Sequence, residues 1–317
     1  MNKDNKPYSD THIRNTLYIE IGIGILANNI LLLFHVSLYI IGHQPKPTDL
    51  PIGLLALIHL LMLLIKGFID ADIYTTEGGR WGDVTCKLVI YLYRLMRGFS
   101  LCTTCLLSVL QAITLSPRSS FLAKFKHKSS CHNLCSLLFL CVIYSLFSSH
   151  LFISISANPN LTSDNIMHIT ESCSLLPMRF LLRHIFAILL TFREIFLLGI
   201  MAISNGYMVA LLCKHRRLSQ HLHRTSLSPI SSPELRATQK ILILLSCFLV
   251  MSISDSIISY ARITVNYDTI FNYIKILFPH SYASFSPLVF IFTEKRIICI
   301  LKYMWGSTVN ISLASDR

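Results

Sequence analysis

Two arginines lie in an apolar stretch, where a charged side chain needs a physical explanation. Arg94 and Arg97 lie eight and eleven residues after Cys86, within a run of mostly apolar residues. Charge near the middle of a bilayer costs about 2.5–3.5 kcal/mol or more per residue. Their i, i+3 spacing places both guanidinium groups on one face of a helix, about 12 and 16 Å below Cys86 at 1.5 Å per residue. At that depth they could bind an anionic or hydrogen-bond-accepting group of a ligand.

The alternative is that these arginines pair with acids of the same bundle. Glu20, Glu194 and Asp255 also lie in apolar stretches, and an arginine without a partner would be costly. A hybrid is also open, in which a ligand competes for a paired arginine. Arg193 and Glu194 point about 100° apart on a helix, so at most one of them faces a cavity squarely. Glu194 is the favoured partner of Arg97, and the candidate ligand-binding residues are Arg94, Arg97, Arg193, Glu194 and Asp255.

Other reactive residues have simpler interpretations. Lys66 and Asp70 are spaced i, i+4 near a helix end, which predicts a solvated ion pair. The Cys102–Cys105 run has the spacing of a redox motif, but it lies in an apolar helix and favours close helix packing. His215, His221 and His223 stand beside a row of arginines and indicate a solvated basic face. No HExxH or GxSxG motif occurs, so we expect no enzyme, no cofactor and no metal site.

The elements that position these residues are long apolar stretches. The chain has 317 residues, of which 53% are hydrophobic and 14% charged, against about 25% charged in soluble domains. That composition disfavours a cytosolic enzyme or a nucleic-acid-binding domain. A membrane helix needs about 20 mostly apolar residues. Seven stretches qualify: Leu17–Ile41, Leu50–Ile73, Lys87–Leu110, Cys131–Ile155, His184–Cys213, Ile241–Tyr260 and Ile270–Phe292.

The sequence therefore predicts an all-α membrane protein, a seven-transmembrane helix bundle over residues 17–292. Residues 1–16 form a short extracellular N-terminus and residues 293–317 a short cytoplasmic tail. With this orientation the inner segments carry 15 Lys and Arg residues and the outer segments nine, as the positive-inside rule requires. Most of the net charge of +12 is then cytoplasmic, where it suits acidic lipid and a protein partner.

Two further features agree with an extracellular N-terminus. Asn160-Leu161-Thr162 is a glycosylation sequon in the loop after the fourth stretch. Cys86 and Cys173 lie at a loop end and in a loop on the same side. Glycan transfer and disulfide formation both need a compartment outside the cytosol.

Several runs resemble one family of receptors. These are the vomeronasal type-1 receptors, and the resemblance extends from about Gly22 to about Phe292. The third stretch, from Cys86 through Arg94 and from Arg97 through Thr114, is the most specific match. The shorter matches are Lys46–Leu50, Gly206–Val209, His221–Pro229 and Ser232–Gln239.

The resemblance implies a chemosensory G-protein-coupled receptor in the plasma membrane. Its small pheromone-like ligand would bind in the transmembrane cavity, and it would activate a heterotrimeric G protein of the Gi/o type. A disulfide between Cys86 and Cys173 is the usual staple of such receptors. The candidate G-protein contacts on the inner side are Gln111, Thr114, Ser116, Lys124, Lys126, Arg216, Arg217 and Arg224.

Two alternatives stay open at the level of sequence. A bitter-taste-like receptor would share the seven helices, but the cysteine pair and the third-stretch run argue against it. A small transporter or channel would be expected to show internal repeats and paired broken helices, and neither is seen.

Overall fold

Within the residues that a computed structural model describes, seven helices follow the seven predicted stretches. The structure describes residues 6–40, 48–74, 81–117, 120–125, 130–149, 152, 155–157, 167–168, 173–175, 180–223, 242–243, 245–254, 257 and 269–293, with side chains for most of them. The helices are α1 (Lys6–Ile40), α2 (Asp49–Tyr74), α3 (Asp83–Leu115), α4 (Ser130–Ser148), α5 (Phe180–His223), α6 (Leu245–Ser254) and α7 (Thr269–Thr293). A 3-10 helix covers Phe121–Phe125.

The helix ends differ from the apolar boundaries. Helix α1 begins at Lys6 and α5 continues to His223, so both extend past the apolar stretches that predicted them. Helix α4 is shorter than predicted, so the boundary at Ile155 is wrong. It ends at Ser148, and Ser149 bonds back to the carbonyl of Leu146 through both its Oγ (2.7 Å) and its N–H (3.3 Å). A serine that binds nearby backbone in this way competes with helix continuation.

Helix α3 is the centre of the bundle. Within the described residues, four helical segments are long and apolar enough to cross a membrane: Arg14–Ile40, Asp49–Ala71, Asp83–Leu115 and Thr191–Lys214. The most apolar window of α3 is 61% buried inside the protein, against 28% in α1 and in α5. Helices α1 and α5 therefore turn most of their apolar surface outward, where lipid would cover it. The seven-helix membrane bundle predicted from the sequence is confirmed.

A small sheet, which the sequence did not predict, covers one end of the bundle. Its strands are β1 (Ile155–Ala157), β2 (Met167–His168) and β3 (Cys173–Leu175), in the antiparallel order β1-β3-β2. The Cys86–Cys173 disulfide, with Cα atoms 5.7 Å apart, joins β3 to α3. The Asp83 carboxylate accepts a bond of 3.0 Å from the N–H of Ala157. This is the end that the charge pattern predicts to be extracellular, and the pairing implied by the resemblance is confirmed.

Three apolar clusters follow one another along the bundle axis. The first lies under the sheet and includes Ile69, Ile90 and Ile155 around the disulfide. The second joins all seven of these helices through residues such as Leu17, Met62, Leu95, Tyr144, Leu198, Phe248 and Tyr282. The third lies towards the opposite end and includes Leu31, Ala56, Leu107, Met208, Leu245 and Phe290.

The Lys66–Asp70 pair is not solvated, so the expectation of a helix-end pair in water is wrong. The two side chains form a salt bridge on α2 with exposed fractions of 11% and 1%. The charge of Lys66 also acts on Glu20 of α1, and Ile21 packs near Gly67. The α1–α2 contact buries this pair, and the spacing of the two residues carries no information about that contact.

Candidate functional site

A cavity lies between five helices in the half of the bundle that is nearer the Cys86–Cys173 disulfide, called the disulfide half below. The space between its atoms is about 360 Å³, counting the part that is open to the surroundings. Small-molecule sites in proteins combine apolar walls with a few polar groups. The walls here combine both kinds of group, but with more polar ones than usual: three hydrocarbon side chains and five that carry polar atoms. The lining residues are Arg97 and Leu101 from α3, Tyr144 from α4, Glu194 and Leu198 from α5, Phe248 and Ser252 from α6, and Tyr282 from α7.

One cation and one anion line this cavity from different helices. Arg97 belongs to the centrally placed α3 and Glu194 to the peripheral α5. In a poorly solvated space, charged hydrogen-bonding groups interact more strongly than in water. The structure thus brings together two of the five candidate ligand-binding residues. The direct Arg97–Glu194 pair stays a prediction.

Arg193 reaches towards α4 and also keeps an ion pair with its neighbour Glu194. Its guanidinium carbon lies 3.5 Å from the centre of the Tyr144 ring. Its Nη1 donates to Ser148 Oγ at 3.3 Å, and its Nη2 lies 3.7 Å from Glu194 Oε1. The different directions of the two side chains are those that helical spacing predicts.

The remaining two candidate ligand-binding residues are not among the described residues that line the cavity. Arg94 lies one turn before Arg97 on α3 and is exposed. Asp255 lies outside the described residues, and so does the sequon residue Asn160. Within the described part of the chain, no group of three His, Cys, Asp or Glu side chains is placed to hold a metal ion.

Sequence reasoning missed the aromatic residues of the cavity. Tyr282 packs edge-on against Phe248, with ring centres 5.2 Å apart, and against His59 at 5.6 Å. Its hydroxyl donates to the sulfur of Met62 at 3.4 Å. An aromatic residue in an apolar helix looks the same in sequence whether it faces lipid or a cavity. The only usable signal was the polar hydroxyl, which inside a membrane favours an inward-facing position.

Two separate groups of buried or partly buried hydrogen bonds link helices beside the cavity. The fully buried His59 lies 2.7 Å from Ser100 Oγ on α3 and 3.3 Å from Ser286 Oγ on α7. Nearer the disulfide, Tyr93 Oη lies 2.7 Å from His280 Nδ1. These contacts tie α2, α3 and α7 together.

The opposite end of α3 carries the first group of candidate G-protein contacts. Gln111 is buried, whereas Thr114 is exposed and donates to its own helix at Leu110 O (2.8 Å). Ser116 is buried; its hydroxyl bonds to Ala112 O at 2.8 Å and lies 3.1 Å from Tyr207 Oη on α5. Thr114 is therefore the member of this group that is available to a partner.

The cationic candidates at this end are described in part. Lys124 is exposed, with its ammonium 5.5 Å from the centre of the Phe121 ring, and Arg217 is exposed on α5. Lys126 and Arg224 lie outside the described residues, and the side chain of Arg216 is not described.

The sequence is similar to known receptors over almost its whole length. Residues 11–303 match the profile of the vomeronasal organ pheromone receptor family. Vomeronasal type-1 receptor 100 of Rattus norvegicus is 53% identical over 311 residues, which cover 98% of this chain and 95% of that protein. Vomeronasal type-1 receptor 45 of Mus musculus is 52% identical over 302 residues, covering 95% of each chain.

This similarity decides between the alternatives left open by the sequence. The relatives are receptors and not enzymes, and their names indicate neither bitter-taste receptors nor transporters. The resemblance seen in the third stretch is confirmed across the chain. The chain therefore belongs to the vomeronasal type-1 receptor family of membrane receptors.

Proposed function

We propose that the chain is a chemosensory receptor whose small pheromone-like ligand binds in the cavity between α3, α4, α5, α6 and α7. The observation that carries this proposal is the presence of both Arg97 and Glu194 in a space with apolar walls. A ligand with an apolar body would fill the region near Leu101, Leu198 and Phe248. An acceptor or anionic group on it would bind Arg97, and a donor group would bind Glu194.

Binding would act through a shift between two arrangements of the bundle. A ligand moves such an equilibrium only by the difference between its affinities for the two states. Because the ligand would contact α3 and α5 through opposite charges, it would favour one separation of these helices. The same two helices meet again at the other end through Ser116 and Tyr207, beside the exposed Thr114, Lys124 and Arg217.

We further propose that this opposite end binds a heterotrimeric G protein of the Gi/o type, with acidic lipid around it. The exposed contacts would be Thr114, Lys124 and Arg217, joined by Lys126, Arg216 and Arg224. An excess of cations next to a membrane attracts acidic lipid and acidic protein segments. Asn160 is proposed to carry a glycan on the opposite side, and Arg94, Arg193 and Asp255 to support the ligand site.

Ligand-dependent G-protein activation in transfected cells tests the proposal. Arg97→Gln and Glu194→Gln should each reduce ligand potency about tenfold or more, since a hydrogen bond to a charged group contributes about 1.5–3 kcal/mol. The control is Lys87→Gln, which removes a cation paired with Asp83 at the helix end. Potencies are compared at equal surface expression, and pertussis toxin should abolish the response.

Two results would contradict this proposal, and a third tests the separate prediction that Arg97 and Glu194 form a pair. Wild-type-like potency in both cavity variants would place the ligand elsewhere. A response that survives pertussis toxin would exclude the Gi/o class. In a double-mutant cycle, additive effects of Arg97→Gln and Glu194→Gln would show that these two residues do not act as a pair.

A further inference from the structure

Tyr144 is held against the backbone of α3 at a position where no side chain fits. A Cβ atom added to Gly98 would lie 1.8 Å from Tyr144 Cε1 and 2.0 Å from its Cζ. Real Cβ contacts are never that short, so any side chain at Gly98 would have to displace the ring. The glycine thus lets α4 bring an aromatic ring up to α3, as small residues do where membrane helices approach closely.

Arg193 covers the face of the same ring. At 3.5 Å the guanidinium carbon is in stacking contact with the ring, and such cation–π contacts contribute about 2 kcal/mol when they are shielded from water. Ser148, one turn further along α4 than Tyr144, accepts a hydrogen bond from Arg193. Glu194 carries the opposite charge 3.7 Å away. The guanidinium therefore has partners on α4 and α5 that hold it over the ring.

Both partners of Arg193 at the cavity are wall residues. Tyr144 is the residue through which α4 reaches the cavity, and Glu194 is its acid. Arg193 itself is 12% exposed and lies behind these two side chains. Its position is that of a residue that holds the wall in place.

We propose that Tyr144 sets the size limit of the cavity, and that Gly98 and Arg193 are positioning residues that hold its ring. This rests on the proposed function of the cavity as the ligand site. It implies that ligand selection by size depends on three residues of α3, α4 and α5. The class of ligand admitted is one whose apolar body ends at the Tyr144 ring.

The test measures the size limit without a natural ligand. Ser252→Cys places a thiol in the cavity wall, and its labelling rate is measured with a methyl and with a benzyl methanethiosulfonate on purified receptor. The receptor without this cysteine gives the background from the native thiols. The ratio of the benzyl rate to the methyl rate reports the space available.

Tyr144→Ala should raise the benzyl-to-methyl ratio about tenfold or more, which is the scale on which apolar pockets discriminate by size. Tyr144→Phe should leave the ratio unchanged because the ring stays. Arg193→Met should raise the ratio because the ring is released. Arg193→Lys should restore it only in part, since an ammonium cannot stack as a planar guanidinium does.

Gly98→Ala should slow both reagents, because the added methyl group drives the ring into the cavity. The matched control is Gly199→Ala on α5, where an added Cβ meets nothing within 4 Å. Adding Tyr144→Ala to Gly98→Ala should return both rates to those of Tyr144→Ala alone. If Gly98→Ala does not fold, recovery of folded receptor in that double variant supports the same contact.

An unchanged ratio in Tyr144→Ala would overturn the size limit. Equal labelling rates in Gly98→Ala and Gly199→Ala would overturn the positioning role of Gly98. An unchanged benzyl-to-methyl ratio in Arg193→Met would overturn the positioning role of Arg193. The proposed function fails separately, through wild-type potency of Arg97→Gln in the activation assay. If labelling gives the expected ratios but Arg97→Gln keeps wild-type potency, then the cavity is built as described but is not the ligand site.

Discussion

The two halves of α3 are built from different chemistry. The half near the disulfide presents Tyr91, Tyr93 and Arg97, whose described contacts reach α4, α7 and the cavity, together with the exposed Arg94. The other half presents small neutral residues. Thr103 and Thr104 return their hydroxyls to their own helix at 2.7 and 2.8 Å, and Ser108 donates to Asn205 on α5 at 2.9 Å.

This difference shows how one helix can line both a cavity and a packed core. Large charged and aromatic side chains keep neighbouring helices apart and need partners, so they surround a cavity. Serine and threonine satisfy their hydroxyls locally and let backbones approach. The disulfide half therefore surrounds a cavity, whereas short side chains in the other half let its helices pack closely.

The largest loss of stability is expected when a buried ion pair in the disulfide half is broken. Lys66→Met leaves Asp70 buried without its cation and should lower the free energy of unfolding by about 3–5 kcal/mol. The measurement is the thermal midpoint of purified receptor. Lys87→Met is the matched control, since it breaks the same i, i+4 pairing with Asp83, which is 46% exposed, and should cost about 1 kcal/mol or less.

A double variant provides a second test of the energetic role of the Lys66–Asp70 pair. Lys66→Met with Asp70→Leu should recover part of the loss, because a buried ion pair can often be replaced by apolar residues. Equal midpoints for Lys66→Met and Lys87→Met would mean that burial of the pair has no energetic consequence.

The next effect removes the covalent link of the disulfide half. Cys173→Ser should lower stability by about 2–5 kcal/mol and reduce surface receptor and ligand response, because β3 is no longer joined to α3. Surface labelling and activation are measured together. Cys247→Ser, at an exposed free thiol, is the control and should behave like wild type; equal losses in both variants would contradict the prediction.

A smaller effect is expected from the neutral contact in the other half. Ser108→Ala leaves both polar atoms of the buried Asn205 side chain without a partner, since its Nδ2 already has none among the described residues. The cost should be about 1–2 kcal/mol. Asn205→Ala should cost less than Ser108→Ala, because it removes the unsatisfied amide and Ser108 can bond to its own helix; the reverse order of thermal midpoints would refute this account.

The smallest effect is expected at the far end of α5. Tyr207→Phe removes a hydroxyl that lies 3.1 Å from Ser116 Oγ and 3.5 Å from Ser120 Oγ. Stability should fall only slightly, with ligand affinity unchanged and G-protein activation reduced. Tyr91→Phe, which removes a 3.4 Å bond to Ser145 O near the cavity, is the comparison. A loss of ligand affinity in Tyr207→Phe would contradict the view that the two halves of the bundle have separate roles.

Much of the fold could be predicted because membrane helices follow from local composition. The seven apolar stretches gave the helices, and the resemblance of the Cys86–Thr114 run gave the Cys86–Cys173 pairing. The cavity could be predicted in part, since a charge inside a membrane needs a reason and this led to Arg97 and Glu194. The short sheet was not predicted, because strands of two or three residues leave no periodic pattern.

The sequence by itself determined that the chain crosses a membrane, which end is basic, and which family it belongs to. Those properties are summed along the chain and do not depend on which helices meet. Only the tertiary structure decided that the Lys66–Asp70 pair is buried, that Arg193 stacks on Tyr144, and that Gly98 admits the ring. Each of these depends on a contact between residues on different helices, and the close fit of such contacts is set by the packing of the whole bundle.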